Sequence, residues 1–364
     1  MRTPKTRHAA RLNQLALPLL LLISACNADN SISPAAPDAA APLDDTELSR
    51  HDCFSHHNDC ASARNGRIAF SHFIDPVGFA IFSAAPDGSD LQQLTTPDNN
   101  IFDDVYPDWS PDGSNIIFER DYLADYTHQF FRVNADGTGL TQLFICDGRC
   151  LGVANPVYSP DGRRIAFAQA TGDETTFTVG MWIMNADGSN RVQVTQRVAG
   201  SGTEDQGATW SPDGHRLAFT RINDSAEPVG HQAIFVGDVN GTDAHRITPW
   251  DLNASATTWS PDGRQILITS HYDIGQDGQE QLYTVRPDGS GLARVRPRGL
   301  DQLGNMAAKF SPDGRKIVFT HRTDLTTYPF IIFDAYTMNA DGSDVTKVSF
   351  LNDFYLYPDW GTHR

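Results

Sequence analysis

Positive charge is scarce in this 364-residue chain: 28 Lys and Arg stand against 45 Asp and Glu. Four of the bases, Arg2, Lys5, Arg7 and Arg11, fall in the first 25 residues, which hold no acid; beyond that stretch 24 bases face 45 acids, a net charge of −21. A surface of that sign repels phosphate backbones and argues against a nucleic-acid partner. Long apolar runs are missing as well. The most apolar stretch, LALPLLLLIS at 15–24, is well short of the ~20 residues a bilayer-crossing helix needs. The strings GxSxG, HExxH and GxxxxGK are absent, so nothing visible in the sequence performs nucleophilic, zinc-hydrolytic or phosphoryl chemistry, and no cofactor is implied. With 40% hydrophobic and 20% charged positions, the chain is neither a polytopic membrane protein nor a disordered one.

What is present begins with an export signal. Residues 1–25 run from a basic stretch through an apolar run to small residues before Cys26, the pattern of a signal peptide. The tetrad Ile23-Ser24-Ala25-Cys26 resembles the lipobox of bacterial lipoproteins. That resemblance implies that Cys26 becomes the lipidated first residue of the mature chain; the alternative is ordinary cleavage near Ala25 with a free thiol. Acyl chains at about 0.8 kcal/mol per buried methylene would then hold the protein on a membrane through the anchor alone. Asn27 after the Cys points to the outer membrane, facing the periplasm, on the same resemblance. Residues 26–50, rich in Ala, Pro, Asp and Ser, read as a flexible tether. Residues 51–65 form a short Cys-containing segment ahead of the repeats.

From Gly66 onward the chain repeats. An aromatic residue followed by SPDG recurs at Trp109, Tyr158, Trp210, Trp259 and Phe310, and Pro358-Asp359-Trp360-Gly361 is a truncated copy. A short apolar strand follows each full copy, as at Ile116-Ile117-Phe118. A sixth such strand, Ile68-Ala69-Phe70, has no SPDG before it. A second turn, Asp-Gly or Asn-Gly, recurs at Asp87, Asp136, Asp187, Asn240, Asp288 and Asp341. In SPDG, Ser accepts from the backbone, Pro presets φ for a type I turn and Gly takes the left-handed position. The second turn closes a hairpin on a glycine of positive φ. Each unit is therefore a four-stranded meander, which cannot bury both faces alone and stacks with its neighbours in a ring.

The predicted fold is an all-β, six-bladed propeller of four-stranded antiparallel blades over 66–364. The first unit lacks its SPDG strand while Tyr355–Trp360 supplies one with no unit after it. The C-terminal strand is thus expected to close the ring and remove its free edges. The WSPDG signature with a later DG turn resembles the TolB-like, WD-repeat-like propeller family over roughly 64–364. The resemblance implies this fold. In TolB an α/β domain precedes the propeller, whereas here a tether and a short segment do, which implies a relative and not TolB itself.

Four cysteines besides Cys26 are candidates for disulfides in an oxidising compartment: Cys53, Cys60, Cys146 and Cys150. Local pairs 53–60 and 146–150 are expected; the crossed pairing would staple the pre-blade segment to a loop. The string from His51 to Cys60 could instead hold a metal through Cys and His, though its spacing follows no zinc pattern. A calcium loop at Asp238–Asp243 competes with plain turn chemistry, which explains an Asp at the same turn position in every blade.

In such a propeller the SPDG and DG turns share one face. The loops entering the innermost strand and those joining the second and third strands share the other, around the channel mouth. That mouth face collects acids and aromatics: Asp103, Asp104, Asp121, Tyr122, Asp125, Glu204, Asp205, Trp250, Asp251, Tyr272 and Asp273. The turn face mixes its acids with Arg163, Arg164, Arg264, Arg315 and Lys316. Acids interspersed with aromatics suit a basic segment of an envelope protein or exported peptide. The expected function is a non-catalytic, monomeric binding scaffold. The alternatives are a carbohydrate-binding or polysaccharide-cleaving propeller, whose aromatics stack on sugars, and a metal-binding envelope protein.

Overall fold

A computed structural model describes residues 65–74, 77–98, 101–125, 127–146, 150–172, 177–195, 203–223, 231–271, 280–300, 304–323, 333–348 and 355–362. Cys26, the tether, and Cys53 and Cys60 lie outside the described residues, as do Tyr272 and Asp273. The described chain folds into twenty-four strands and one short 3-10 turn, Trp250–Leu252. Among the described residues no helix is long and apolar enough to cross a membrane.

The strands form six four-stranded antiparallel sheets. The first blade contains β1 (Asn65–Ile74), β2 (Gly78–Ala84) and β3 (Gln92–Gln93). The second holds β4 (Phe102–Trp109), β5 (Asn115–Tyr122), β6 (Thr127–Asn134) and β7 (Thr141–Phe144). The third holds β8 (Cys150–Tyr158), β9 (Arg164–Gly172), β10 (Phe177–Asn185) and β11 (Val192–Gln193), and the fourth β12 (Thr203–Trp210), β13 (Arg216–Asn223), β14 (His231–Asp238) and β15 (His245–Arg246). The fifth holds β16 (Ala254–Trp259), β17 (Ile266–Ser270), β18 (Gln281–Val285) and β19 (Ala293–Val295). The sixth holds β20 (Asn305–Phe310), β21 (Lys316–Arg322), β22 (Phe333–Asn339) and β23 (Thr346–Lys347). The last strand, β24 (Tyr355–Thr362), completes the first blade in the order β24-β1-β2-β3. The ring is closed by the C-terminus. Strands β24, β4, β8, β12, β16 and β20 touch in succession around the axis and so form the inner wall.

The apolar runs after SPDG explain how the blades stack. Ile116 and Phe118 of β5 pack toward the first blade with Trp109, Ala69 and Ile81, while Ile117 packs toward the third with Val153, Ile165 and Phe167. A second strand covered on both faces has no reason to alternate, which is why it reads as Ile-Ile-Phe. Phe118 has no exposed surface, and burying such a ring fully contributes about 1.5–3 kcal/mol. The two turns behave as their chemistry requires. Gly of the five SPDG turns has φ between 65° and 71°, and the Ser hydroxyl donates to the Asp carboxylate two residues on at 2.5–2.7 Å. In the DG turns the Asp accepts from the following Ser or Thr, as Asp136 does from the Thr138 N–H at 2.9 Å and hydroxyl at 2.6 Å. The 238–243 loop is the same turn, its Asn240 oxygen accepting from Thr242.

Cys146 and Cys150 form a disulfide, with Cα atoms 5.3 Å apart. That local bond excludes the crossed pairing with Cys53 and Cys60.

Candidate binding site at the channel

Every inner strand carries a bulge where its register against the second strand shifts, as between Val105 and Asp108 or Met306 and Lys309. At these bulges Tyr106, Asn155, Gly207, Ala307 and Tyr357 take left-handed φ of 48–58°. For Tyr and Ala that conformation costs about 1–2 kcal/mol each. The Tyr106 and Tyr357 rings meet with centroids 3.9 Å apart, and their hydroxyls hydrogen-bond. The extra residue bends each strand, and Tyr106, Asn155, Gly207, Ala307 and Tyr357 all line the channel.

Two cavities share this wall. The mouth-side cavity, about 170 Å³, is lined by Tyr106, Asn155, Thr269, His271, Ala307 and Tyr357 among others. The turn-side vestibule, about 210 Å³, is lined by Pro111, Pro160, Pro261 and Pro312 with the aromatic residues before SPDG. Asp108, Val157 and Lys309 belong to both and so mark the waist between them. Sites for whole small molecules occupy roughly 300–1,000 Å³. Cavities of this size suit a side chain or an ion.

The waist is charged. Lys309 Nζ lies 3.8 Å from both Asp108 and Asp359. Each carboxylate also ties one blade to the next: Asp359 accepts from the Trp109 N–H at 2.8 Å and Asp108 from the Tyr158 N–H at 2.7 Å. Burial, and then the neighbouring Asp359, push the Asp108 carboxyl up to about 8.

Behind the tyrosines lies a second ionisable group. Period-two geometry puts Glu119 and Asp121 on one face of β5, and Asp121 pairs directly with His128 on β6. His128 Nδ1 sits 3.0 Å from Glu119 Oε1 and 2.6 Å from Asp121 Oδ1, and the Asn155 N–H donates to Glu119 Oε2 at 2.9 Å. Burial opposes charge on the imidazole, but hydrogen bonds to Asp121 and Glu119 outweigh it and carry His128 up to about 10. Burial, with Glu119 beside it, raises Asp121 to about 7. Elsewhere on the wall, His271 Nε2 and the Ser255 hydroxyl are 3.0 Å apart. Burial pushes His271 down to about 4, and among the described residues no carboxylate orients its ring.

The residues read from the sequence as an acidic rim divide into two sets. Asp104 and Asp205 are not on the rim: both are fully buried. Asp104 takes the Arg120 fork at 2.6 and 2.8 Å, and Asp205 takes the Arg221 fork at 2.6 and 3.0 Å. The reason is alternation. Asp103 and Asp104 are consecutive in one strand, as are Glu204 and Asp205, so each pair must point to opposite sides. Asp103 is half-buried and accepts from the Phe79 N–H of the first blade at 2.9 Å; burial raises it to about 6. Tyr122, Glu204 and Trp250 are half-buried, Trp250 packing 6.0 Å from Phe235. Asp125 and Asp251 are exposed. The sequence reading missed Glu119, His128, Asp108, Asp359 and Lys309. A signal for Glu119 existed: its place in the repeat is Ser71, Ala168, Thr220, Thr269 and Thr320 in the other blades.

A closed six-bladed β-propeller with two buried ionisable clusters along its channel is therefore the class of protein that fold and site define. The profile of the TolB beta propeller domain matches residues 207–335, within the last three blades. Among solved structures, a putative TolB from Agrobacterium tumefaciens is 20% identical with a TM-score of 0.56, over 82% of this chain and 91% of that one. TolB from Acinetobacter baumannii is 19% identical with a TM-score of 0.62, over 81% of this chain and 66% of that one. Hydrazine synthase from Kuenenia stuttgartiensis is 15% identical with a TM-score of 0.59, over 82% and 47%. No curated protein matches the chain. The chain is a TolB-like propeller in fold, and at these identities the likeness is one of fold.

Proposed function

We propose that the chain is a non-catalytic binding propeller of the bacterial cell envelope, exported and lipid-anchored at Cys26, monomeric, whose channel mouth takes a basic segment of a protein or peptide partner. One observation carries this reading: the mouth face presents exposed Asp125 and Asp251 and half-buried Glu204 beside a channel cavity of side-chain dimensions. An acidic mouth opening on a cavity of that size favours a Lys or Arg side chain, and repels acidic saccharides. The exposed Asp125 and Asp251, with half-buried Glu204 and Trp250, would steer the approach. The TolB-like fold supports a protein-binding scaffold in general.

The test is capture from detergent extracts of envelopes by the purified protein. Asp125→Asn, Asp251→Asn and Glu204→Gln combined should reduce partner recovery by at least about tenfold at low salt. Recovery by the wild type should fall as salt rises through the range where surface charges are screened. Recovery indifferent to both would reject the charged mouth as the binding face.

A further inference from the structure

We propose that Glu119, Asp121 and His128 form a binding site for one divalent first-row metal ion, behind the tyrosine pair of the channel wall. Their donor atoms lie within 4.8 Å of one another, and the two strands that carry them are hydrogen-bonded neighbours. Glu119 has no exposed surface and His128 is 96% buried. Two carboxylates with an imidazole suit Zn²⁺ or Mn²⁺, where Ca²⁺ asks for oxygen alone and Cu(I) for sulfur. The Asn155 N–H fixes the second oxygen of Glu119, as outer hydrogen bonds orient the ligands of metal sites. Tyr106 and Tyr357 are the other titratable groups against the cluster. Arg120 is turned to Asp104 on the opposite face of β5.

The propeller does not need these charges for packing. At the same three places the first blade uses Ser71, Phe73 and Phe79, the two rings meeting at 5.2 Å, and the third uses Ala168, Ala170 and Val179. Buried ion clusters are commonly no more stabilising than apolar groups of like volume. Charge balance points to the ligand. Two carboxylates, a neutral imidazole and a divalent ion sum to zero.

The experiment is calorimetric titration of chelator-stripped, full-length protein with Zn²⁺ or Mn²⁺ alone. One ion per chain is expected, with affinity falling at least about 100-fold in Glu119→Gln and in Asp121→Asn. Mn²⁺ should also broaden backbone amide resonances of 115–122 and 127–134 in the wild type, a readout that survives if the variants fail to fold. Three results overturn the site: no uptake by the wild type, uptake that persists in both variants and so belongs to the His51–Cys60 segment, or broadening confined to other strands. Because these readouts need no partner, their failure leaves the partner-binding reading standing, and its failure leaves them standing.

Discussion

Removal of residues 355–364 is expected to abolish the cooperative thermal transition, because it takes the inner strand out of the first blade. The lost strand pairs with β1 from Asn65↔Thr362 to His72↔Tyr355. It also holds both neighbours. Trp360 is buried with Ile68 and Phe70 of the first blade and with Val318, Ala335 and Val348 of the sixth. Asp359 accepts from the Trp109 N–H, and the Thr362 hydroxyl donates to the Pro111 carbonyl at 2.7 Å, both in the second blade. Truncating one buried Trp alone costs about 3–5 kcal/mol, against a total stability of about 5–15 kcal/mol for a typical domain. The shortened chain would also expose the edge of β1, a template for intermolecular pairing. Calorimetry should show no sharp transition and light scattering should show association. A transition within about 2 °C of the full-length protein would contradict closure by the C-terminus.

The second large effect is expected at Asp104. Arg120 stacks 3.7 Å over the Phe102 ring and 4.4 Å over Phe131, and its fork is satisfied by Asp104, which has no exposed surface. Asp104→Leu leaves a buried guanidinium without its counter-charge and should cost about 3–5 kcal/mol. Adding Arg120→Met removes the stranded charge and should recover most of that loss, since a well-packed apolar pair replaces a buried ion pair at little cost. Asp251→Asn on the exposed rim should stay within about 0.5 kcal/mol of wild type. Denaturant unfolding of the two singles and the double measures the coupling; equal and additive losses would show that the pair is not buried as a unit. The same logic holds for Asp205 with Arg221, where the Arg is somewhat more exposed, and the loss should be smaller.

These two cases also show what could be read from the chain. SPDG and DG are local devices whose geometry depends on four or five adjacent residues, so turn positions, blade number and the closing strand were all legible. The bulges were not. Gly207 and Asn155 tolerate positive φ, but Tyr106, Ala307 and Tyr357 carry no such mark, and only the crowding of six strands around one axis imposes it. Acidic residues were counted on the mouth face by loop position, which cannot separate Asp103 from Asp104. The recurrence of Asp and Arg sixteen residues apart, at 104 with 120 and 205 with 221, held that information as a repeated cross-strand pair. The waist was harder. Lys309 reaches carboxylates of two other blades, and no pattern within one repeat encodes a contact across the ring.

The central claim is that the channel-mouth face is where a partner sits, and photo-crosslinking in living cells tests it most directly. A photoreactive residue at Ile101 or Leu123, both solvent-exposed at the mouth end of the second blade, is to be compared with one at Leu140 or Leu292 beside the DG turns. The account predicts a discrete crosslinked species from the first pair and none from the second. Crosslinks from the turn face with none from the mouth would contradict it.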